Sequence, residues 1–565
     1  MTFPTDLQIA RTAHPKPLSE IAHKMGIGEH LLEPYGSDVA KIRLDAIEEL
    51  SDRPKAKYVV VTAITPTPLG EGKTTTAVGL GQAMQCVGKN AVLTLRQPSM
   101  GPTFGIKGGA AGGGYSQVIP MELLNLHLTG DFHAVTAAHN LLSAMVDNHL
   151  HHGNELELDL NNITWRRVMD VNDRALRNIV IGLGGRMDGV VRETGFDITA
   201  ASEVMAILAL ATSQDDMRER FGRIVVGYTS KGVPVTAEQL SAAGSMAVMM
   251  RDALEPNLLQ TLENTPVIVH AGPFGNIAHG NSSVVADLIG IRGGDYLITE
   301  AGFGADMGAE RFFNIKCRTS GLVPDAAVLV ATVRALKAHS GKYKVVAGRD
   351  LPAEMLLESP DDVLAGASNL RKQIENVMAH GVTPVVAINA FPTDHESEHQ
   401  AIREVAEEMG VRVAVSNHFG EGGAGATDLA EAVIEACEDE QGFHFLYDAD
   451  DSLKQKVEAV ATKIYGAERV EYTPEANRQF QNYEDNGFGD LPVCIAKTHL
   501  SISGDASLKG APTGHTLTIR EARASVGAGF IYPISGVVRT MPGLGSSPAA
   551  SRIDIDENGE IVGLS

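Results

Sequence analysis

The sequence predicts an α/β fold with a doubly wound, mostly parallel sheet. The first observation is the β-branched run at residues 58–64, which is typical of a strand buried in a parallel sheet. The second is the proline-free segment 75–87, whose apolar spacing suits a helix that Gly88 ends. The third is a new apolar run at 91–95. Together these three segments predict a βαβ unit.

The same alternation continues along the chain. Further apolar strands are predicted at residues 179–183, 224–228, 267–270 and 296–299. Residues 382–389 and 411–416 are predicted as strands on either side of an amphipathic helix at 397–409, and this unit could form a second, smaller sheet. A charged stretch at 448–463 is predicted to be helical, and beyond Tyr465 the chain becomes rich in Gly, Pro and turns.

The loop between the first strand and the first helix has the residues that a nucleoside triphosphate requires. Glycines let backbone N–H groups converge on phosphate, a lysine can reach the β- and γ-phosphates, and a hydroxyl can bind Mg²⁺. The helix that follows adds a partial positive charge. Thr67 replaces the usual first glycine. We predict that ATP is bound by Thr67, Pro68, Leu69, Gly70, Glu71, Gly72, Lys73 and Thr74, with Thr74 as the ligand of the Mg²⁺.

The length of the chain predicts about three to five domains, and the change in composition after Tyr465 predicts a domain boundary near that residue.

Arg96 follows directly after the predicted strand at residues 91–95. In an open α/β sheet this is the carboxyl end of the strand, beside the phosphate loop. A planar guanidinium at that point could bind a carboxylate or an acyl phosphate. From position alone, a surface salt bridge explains Arg96 equally well.

Composition excludes several classes of protein. The net charge of −23 opposes broad binding to nucleic acid or to an anionic membrane. The four cysteines are far apart and form no Cys-x-x-Cys pair, which argues against a disulfide framework or a zinc module and fits a reducing cytoplasm. We expect no signal peptide and no membrane span. Two groups of nearby histidines, at residues 127–139 and 149–152, lack the spacing of a helical metal pair.

A glycine-dense string, Gly105-Ile106-Lys107-Gly108-Gly109-Ala110-Ala111-Gly112-Gly113-Gly114-Tyr115, removes almost every side chain from a long loop. This string and the phosphate loop closely resemble the signatures of the formate–tetrahydrofolate ligase family. The resemblance extends over essentially the whole chain. It includes the segments Leu-His-Leu-Thr-Gly-Asp at 126–131, His-Ala-Gly-Pro-Phe at 270–274, Thr-Glu-Ala-Gly-Phe-Gly-Ala-Asp at 299–306 and Asn-Ala-Phe-Pro-Thr-Asp at 389–394.

The resemblance implies three domains: residues 1–345 as a large P-loop nucleotide-binding α/β domain, residues 346–465 as a smaller α/β domain that contributes folate-stacking residues, and residues 466–565 as a C-terminal α+β domain. It implies Mg-ATP, formate and tetrahydrofolate as substrates, formyl phosphate as the intermediate, and a homotetramer that a monovalent cation, K⁺ or NH₄⁺, stimulates. It implies catalytic roles for four residues: Lys73 on the phosphates, Arg96 on formate or formyl phosphate, and Asp131 and His270 near the transfer site. It also implies that Phe391 and Phe419 bind the folate, since two aromatic faces suit a flat pterin ring.

Some positions depart from the family pattern. Gln97 stands where many members have Glu, Leu123-Leu124 replaces an acidic-hydrophobic pair, Ser340 interrupts a Gly-Gly, and Ser546-Ser547-Pro548 replaces Thr-Arg-Pro. Gln97 cannot act as a general base for the folate amine, so another group, such as Asp131, would have to serve.

Three other functions stay open at this point. They are a phosphate-loop ligase for another carboxylate or an amine, a nucleotide-dependent switch or partition ATPase, and an inactive family member that acts as an interaction protein. The sequence has no Asn-Lys-x-Asp motif, and it keeps Lys73, Thr74 and Arg96.

Overall fold

The structure is a computed structural model that describes residues 3–68, 70–105, 111–346 and 350–564. Leu69 of the phosphate loop and residues 106–110 of the glycine-dense string lie outside the described residues. In the part of the chain that is described, no helix is long and apolar enough to cross a bilayer.

The strands are numbered in chain order. They are β1 (Leu32–Pro34), β2 (Ala40–Ile42), β3 (Lys57–Ala63), β4 (Ala91–Leu95), β5 (Gly112–Gly113), β6 (Ser116–Ile119), β7 (Leu158–Ile163), β8 (Arg167–Met169), β9 (Ile179–Ile181), β10 (Arg192–Thr194), β11 (Phe196–Ile198), β12 (Val225–Thr229), β13 (Pro234–Thr236), β14 (Asn257–Thr261), β15 (Pro266–Val269), β16 (Tyr296–Glu300), β17 (Ala326–Ala331), β18 (Thr383–Asn389), β19 (Arg412–Ser416), β20 (Arg469–Tyr472), β21 (Thr516–Ile519), β22 (Glu521–Ser525), β23 (Phe530–Ile534), β24 (Asp554–Ile555) and β25 (Ile561–Val562).

The α-helices are numbered in the same way. They are α1 (Asp6–Arg11), α2 (Leu18–Lys24), α3 (Ala46–Glu49), α4 (Lys73–Cys86), α5 (Met100–Phe104), α6 (Met121–Asn125), α7 (Asp131–His151), α8 (Glu203–Leu210), α9 (Gln214–Arg223), α10 (Ala243–Met250), α11 (Val284–Gly290), α12 (Arg318–Ser320), α13 (Val333–His339), α14 (Pro360–Met378), α15 (Glu396–Glu408), α16 (His418–Glu421), α17 (Thr427–Ala436), α18 (Leu453–Lys463) and α19 (Pro474–Asp485). Two π-helical segments, Ala305–Ala309 and Phe312–Cys317, follow β16.

One large, mostly parallel sheet organises the fold. Its strand order is β1-β2-β14-β15-β4-β16-β3-β17-β18-β19, with β5 and β6 attached beside β14. All neighbours from β15 to β19 run parallel, whereas β1, β2 and β14 pair antiparallel at one end. The central strands β3, β4, β16 and β17 are almost entirely buried, which explains their continuous apolar runs. The fold class is therefore mixed α/β around a mostly parallel sheet, as the sequence predicts.

Three expectations need correction. Strands β18 and β19 extend the large sheet through β17 and do not form a second sheet. Among the described residues, strand β9 pairs with β10 alone, in an antiparallel hairpin, and β12 joins a separate antiparallel sheet with β7 and β13. Both lie outside the large sheet. The prediction failed because a short apolar run indicates a strand but does not specify the strand with which it pairs. The helix predicted at 448–463 begins at Leu453, since the Ser452 side chain caps it.

The order of the central strands decides where the site lies. The residues that follow β3, β4, β16, β17, β18 and β19 all leave the same edge of the sheet, because the carboxyl ends of parallel strands point in one direction. That edge receives the phosphate loop after β3, Arg96 after β4, Glu300 at the end of β16 and Phe391 after β18.

Candidate active site

The phosphate loop joins β3 to α4, which begins at Lys73. Gly70 and Gly72 both have a φ of +75°, a left-handed conformation that only glycine adopts at low cost. A Cβ at Gly72 would also lie 2.5 Å from Nδ2 of Asn389, which donates a hydrogen bond of 3.1 Å to the carbonyl oxygen of Glu71. The glycines therefore permit a turn that β18 supports from its carboxyl end.

The buried carboxylate of Glu71 holds this loop in shape. Its Oε1 accepts hydrogen bonds from the backbone N–H and from the hydroxyl of Thr67, both at 2.8 Å. Its Oε2 accepts a third hydrogen bond, at 2.7 Å, from the hydroxyl of Thr332, which is the N-cap residue of α13. Thr67 therefore does not merely replace a glycine, because its hydroxyl closes the loop on Glu71.

Thr74, Glu300 and Arg96 form a connected group beside the loop. The Thr74 hydroxyl donates to Oε2 of Glu300 at 2.6 Å. Nε of Arg96 lies 3.4 Å from Oε1 of the same carboxylate. The Glu300 side chain is 5% exposed and that of Arg96 is 26% exposed. The phosphate loop and Arg96 thus meet at one carboxylate, and Arg96 remains open to small molecules.

Two further polar side chains lie near Arg96 without a hydrogen-bond partner among the described residues. The amide oxygen and nitrogen of Gln97 are both buried and unpaired, and so are both ring nitrogens of His279. Burial lowers the pKa of His279 well below its usual value, and the charges of Lys316 and Arg96 add to this effect. Because both side chains lie near Arg96, either a ligand or an ordered water can supply their missing partners.

Asp131 belongs to a buried ion pair. Its Oδ1 lies 2.8 Å from Nζ of Lys41, and both side chains are 2% exposed. Its Oδ2 accepts a hydrogen bond from Asn257 at 2.7 Å. Both carboxylate oxygens are therefore engaged by strands β2 and β14, at the antiparallel end of the sheet.

His270 is also fully engaged. Nε2 lies 2.7 Å from the carbonyl oxygen of Ala253, so this nitrogen carries the proton, and Nδ1 accepts from the hydroxyl of Ser283 at 2.7 Å. The ring is completely buried, which lowers its pKa to about 4. Asp131 and His270 thus have structural contacts on every polar atom, in contrast to Arg96.

The two predicted folate phenylalanines have different surroundings. The guanidinium of Arg334 lies 3.7 Å from the ring centre of Phe391, and its NH2 donates to the carbonyl oxygen of Gly70 at 3.1 Å. Phe419 is 40% exposed, and its ring stacks on Phe3 with centroids 5.4 Å apart. Phe391 therefore has one covered face and is linked to the phosphate loop, while Phe419 packs against the N-terminal segment.

The described part of the glycine-dense string runs close to Phe419. The N–H of Tyr115 donates to the carbonyl oxygen of Phe419 at 2.9 Å, and a Cβ at Gly114 would lie 2.1 Å from that oxygen. Gly114 has a φ of +55°, and its N–H donates to Asp6 of α1. Glycine is required here because two backbone segments approach each other directly.

Sequence reasoning missed several residues of this site: Glu300, Thr332, Arg334 and His279. Glu300 had a usable signal, because it directly follows the strand predicted at residues 296–299. Thr332 and Arg334 had none, since they reach the loop from a distant part of the chain.

Chemically, the group can hold a polyphosphate at the N-terminus of α4 and a small anion at Arg96, at the same edge of the sheet. This arrangement suits phosphoryl transfer to a carboxylate substrate. The loop glycines, the Thr74 hydroxyl and the Glu300 carboxylate lie on one side, and the Arg96 guanidinium lies on the other.

Comparison with known proteins agrees with this chemistry. The family model described as formate–tetrahydrofolate ligase matches residues 4–565. The chain is 73% identical over 565 residues to the formate–tetrahydrofolate ligase of Saccharopolyspora erythraea, covering 100% of both chains. It is 65% identical over 560 residues to the enzyme of that name from Cutibacterium acnes, with 99% of this chain and 100% of the relative covered. It is 59% identical over 562 residues to that of a Roseiflexus species, with the same coverage.

Proposed function

The chain belongs to the formate–tetrahydrofolate ligase family, and we propose that it uses ATP to join formate to tetrahydrofolate, giving 10-formyltetrahydrofolate, ADP and phosphate. One observation of the site carries this proposal: the phosphate loop and Arg96 meet at Glu300. A nucleotide held by the loop and a carboxylate held by the guanidinium would therefore be neighbours.

In the first step, an oxygen of formate attacks the γ-phosphorus of ATP, and the bond between that phosphorus and the bridging oxygen of ADP breaks. Arg96 orients the formate, while Lys73 and the N–H groups at the start of α4 neutralise the charge that develops on the phosphate oxygens. The products are formyl phosphate and ADP. Most of the acceleration comes from holding the two reactants in line.

In the second step, N10 of tetrahydrofolate attacks the formyl carbon, and the carbon–oxygen bond to phosphate breaks. Phosphate is a far better leaving group than the oxide that free formate would have to expel. Arg96 holds the departing phosphate, and the proton lost by the amine passes to a base or to water. Gln97 carries no ionisable group, so it offers its unpaired amide only as a hydrogen-bond donor or acceptor.

We propose that the nucleotide enters as its Mg²⁺ complex. The hydroxyl of Thr74 and the carboxylate of Glu300, 2.6 Å apart, are the oxygen ligands that Mg²⁺ prefers beside substrate phosphates. A monovalent cation, K⁺ or NH₄⁺, is proposed as an activator on family membership alone, and no residue is assigned to it.

The folate is proposed to bind against Phe391 and Phe419, which follow the adjacent strands β18 and β19. The stack of Arg334 on Phe391 leaves the opposite face of that ring for the pterin. His270, whose ring nitrogens are both engaged, is proposed to act by positioning the loop between β15 and α11, and Asp131 by holding β2 and β14 together. No proton transfer is assigned to them.

We propose three further properties. The sheet is a doubly wound sheet of the P-loop type that residues 346–465 extend with β18 and β19, within the division into residues 1–345, 346–465 and 466–565. The protein is a homotetramer, which the exposed apolar hairpin β9–β10 supports, since Val180, Leu183, Met187 and Val191 are each more than half exposed. The cytoplasm is the proposed location, because all four cysteines are free thiols.

Omitting substrates one at a time tests the reaction. ADP formation at the full rate should require formate, and 10-formyltetrahydrofolate should appear in equal amounts with ADP. Lys73→Ala should abolish both. Full-rate turnover with tetrahydrofolate but without formate would contradict the proposal.

A further inference from the structure

Glu300 occupies a special position in the sheet. It is the last residue of β16, and β16 lies between β3, which leads into the phosphate loop, and β4, which leads into Arg96. In register, Glu300 faces Val61 on β3, and Thr299 faces Thr94 on β4. Its side chain therefore leaves the sheet between the two groups that bind the reactants.

Each oxygen of the Glu300 carboxylate serves a different partner. Oε2 receives the Thr74 hydroxyl at 2.6 Å, which is a short bond. Oε1 faces Nε of Arg96 at 3.4 Å, which is at the long limit for a hydrogen bond. The Arg96 contact is thus the looser of the two.

The backbone of Glu300 is fixed by the parallel pairing of β16 with β3 and β4. The carbonyl oxygen of Glu300 accepts from the side chain of Asn281 at 3.3 Å, and Asn281 also bridges to Ala301. A Cβ at Gly302 would lie 3.2 Å from NH1 of Arg96. The guanidinium therefore passes directly over a glycine backbone, and it can shift without moving the strand.

We propose that Glu300 exchanges between two cations: it balances the charge of Arg96 in the free protein, and it faces the Mg²⁺ once the nucleotide is bound. Mg²⁺ is held in proteins by one or two carboxylates together with substrate phosphates. In phosphate-loop proteins, an acidic residue assists the loop Ser or Thr at the metal. Glu300 already contacts the loop threonine, so it stands in that place.

This exchange has a consequence for the second substrate. When the Glu300 carboxylate faces the Mg²⁺, Arg96 loses its counterion and binds an anion more tightly. Mg²⁺–nucleotide and formate should therefore bind with positive coupling, and the coupling must be reciprocal. This inference rests on the proposed function, because it assumes that Arg96 binds formate.

Binding of a fluorescent N-methylanthraniloyl derivative of ADP tests the inference without any turnover. In the wild type, we expect Mg²⁺ to tighten its binding roughly tenfold or more, and formate to tighten it further only when Mg²⁺ is present. In Glu300→Gln, the effect of Mg²⁺ should fall to about threefold or less, and the effect of formate should no longer depend on the metal. Affinity without metal should be unchanged or higher, because a negative charge near the phosphates is removed.

Two further variants make the test specific. Glu203→Gln is the matched control, since the carboxylate of Glu203 accepts from the N–H groups of Gly527 and Ala528, and it should bind as the wild type does. Glu300→Asp keeps the charge and should recover part of the Mg²⁺ effect, which also covers the case in which Glu300→Gln does not fold.

The inference is overturned if Glu300→Gln keeps the wild-type Mg²⁺ effect, or if its metal-free affinity falls as much as its affinity with Mg²⁺. The second result would mean that Glu300 only supports the loop. Failure of the proposed function would look different, because wild-type protein would then make ADP without needing formate.

Discussion

Replacing Glu71 with Gln should weaken ATP binding although the side chain need not touch the nucleotide. The carboxylate accepts three hydrogen bonds, two from Thr67 and one from Thr332, at 2.7–2.8 Å. In Glu71→Gln, the oxygen can still accept from Thr67. The amide nitrogen then faces the Thr332 hydroxyl, which already accepts from the N–H of Ala335, so the hydroxyl proton loses its acceptor.

The size of the effect follows from these contacts. Hydrogen bonds to a charged group contribute about 1.5–3 kcal/mol each, against about 1 kcal/mol for neutral pairs. Exchanging three hydrogen bonds to a charged group for two neutral ones removes about 2.5–7 kcal/mol from the organisation of the loop. Only part of this appears in binding, so we expect the KM for ATP to rise by about 10- to 100-fold. The kcat should fall much less, because the loop can still close once ATP is bound.

Steady-state kinetics with varied ATP measures this split. Glu310→Gln provides a matched control, since Glu310 is also 1% exposed and its carboxylate accepts from Asn314. That variant should keep the wild-type KM for ATP. An unchanged KM in Glu71→Gln, or an equal change in both variants, would refute the role of Glu71 in shaping the loop.

Three other predictions follow from buried groups. Burial lowers the pKa of four histidines to about 3 or 4, whereas unfolded histidine titrates near 6.5; they are His139, His270, His380 and His418. Because only the unfolded chain takes up these protons, the free energy of unfolding should fall by about 2 kcal/mol per histidine as the pH falls from 6.5 to 5. A free energy of unfolding, measured with denaturant, that stays constant over this range would contradict the prediction. Burial raises the pKa of Glu203 to about 8, so the stability that the protonated side chain contributes is lost as the pH rises from 4.5 through 8. Glu203→Gln should therefore raise the Tm at pH 8 but not at pH 5, and equal shifts of the Tm at both pH values would disprove this. Arg334→Ala should raise the KM for both ATP and folate by about fivefold, since it removes the stack on Phe391 and the bond to Gly70, and Arg334→Lys should restore only part of the loss.

Local sequence signals predicted the elements that carry the site well. The strand predicted at 58–64 is Lys57–Ala63, the helix at 75–87 is Lys73–Cys86, and the strand at 91–95 is Ala91–Leu95. Each is encoded by its own run of residues, since a β-branched run, a glycine or a capping residue acts within a few positions. The mixed α/β class follows from these elements in order.

Pairing and support could not be predicted in the same way. The residues at 179–181 contain no signal that this strand pairs with residues 192–194 and does not join the large sheet. The contact between Glu71 and Thr332 joins residues 261 positions apart, and that between Thr74 and Glu300 joins residues 226 apart. Such contacts depend on the strand order, which a single sequence does not specify.

The engagement of Asp131 and His270 also depends on distant partners. Lys41 lies 90 residues from Asp131, and Ala253 lies 17 residues from His270. The motifs indicated that both residues matter, but a motif does not distinguish a group that touches substrate from one that is buried in a hydrogen-bond network.

Transfer of oxygen from formate to phosphate tests the central claim most directly. If formate attacks the γ-phosphorus and phosphate then leaves the formyl carbon, one oxygen of ¹⁸O-labelled formate must end in the phosphate. Single turnover with ATP, tetrahydrofolate and labelled formate, followed by mass spectrometry of the phosphate, should therefore find one ¹⁸O atom per phosphate formed. Phosphate that carries no label, formed together with 10-formyltetrahydrofolate, would contradict activation of formate at this site.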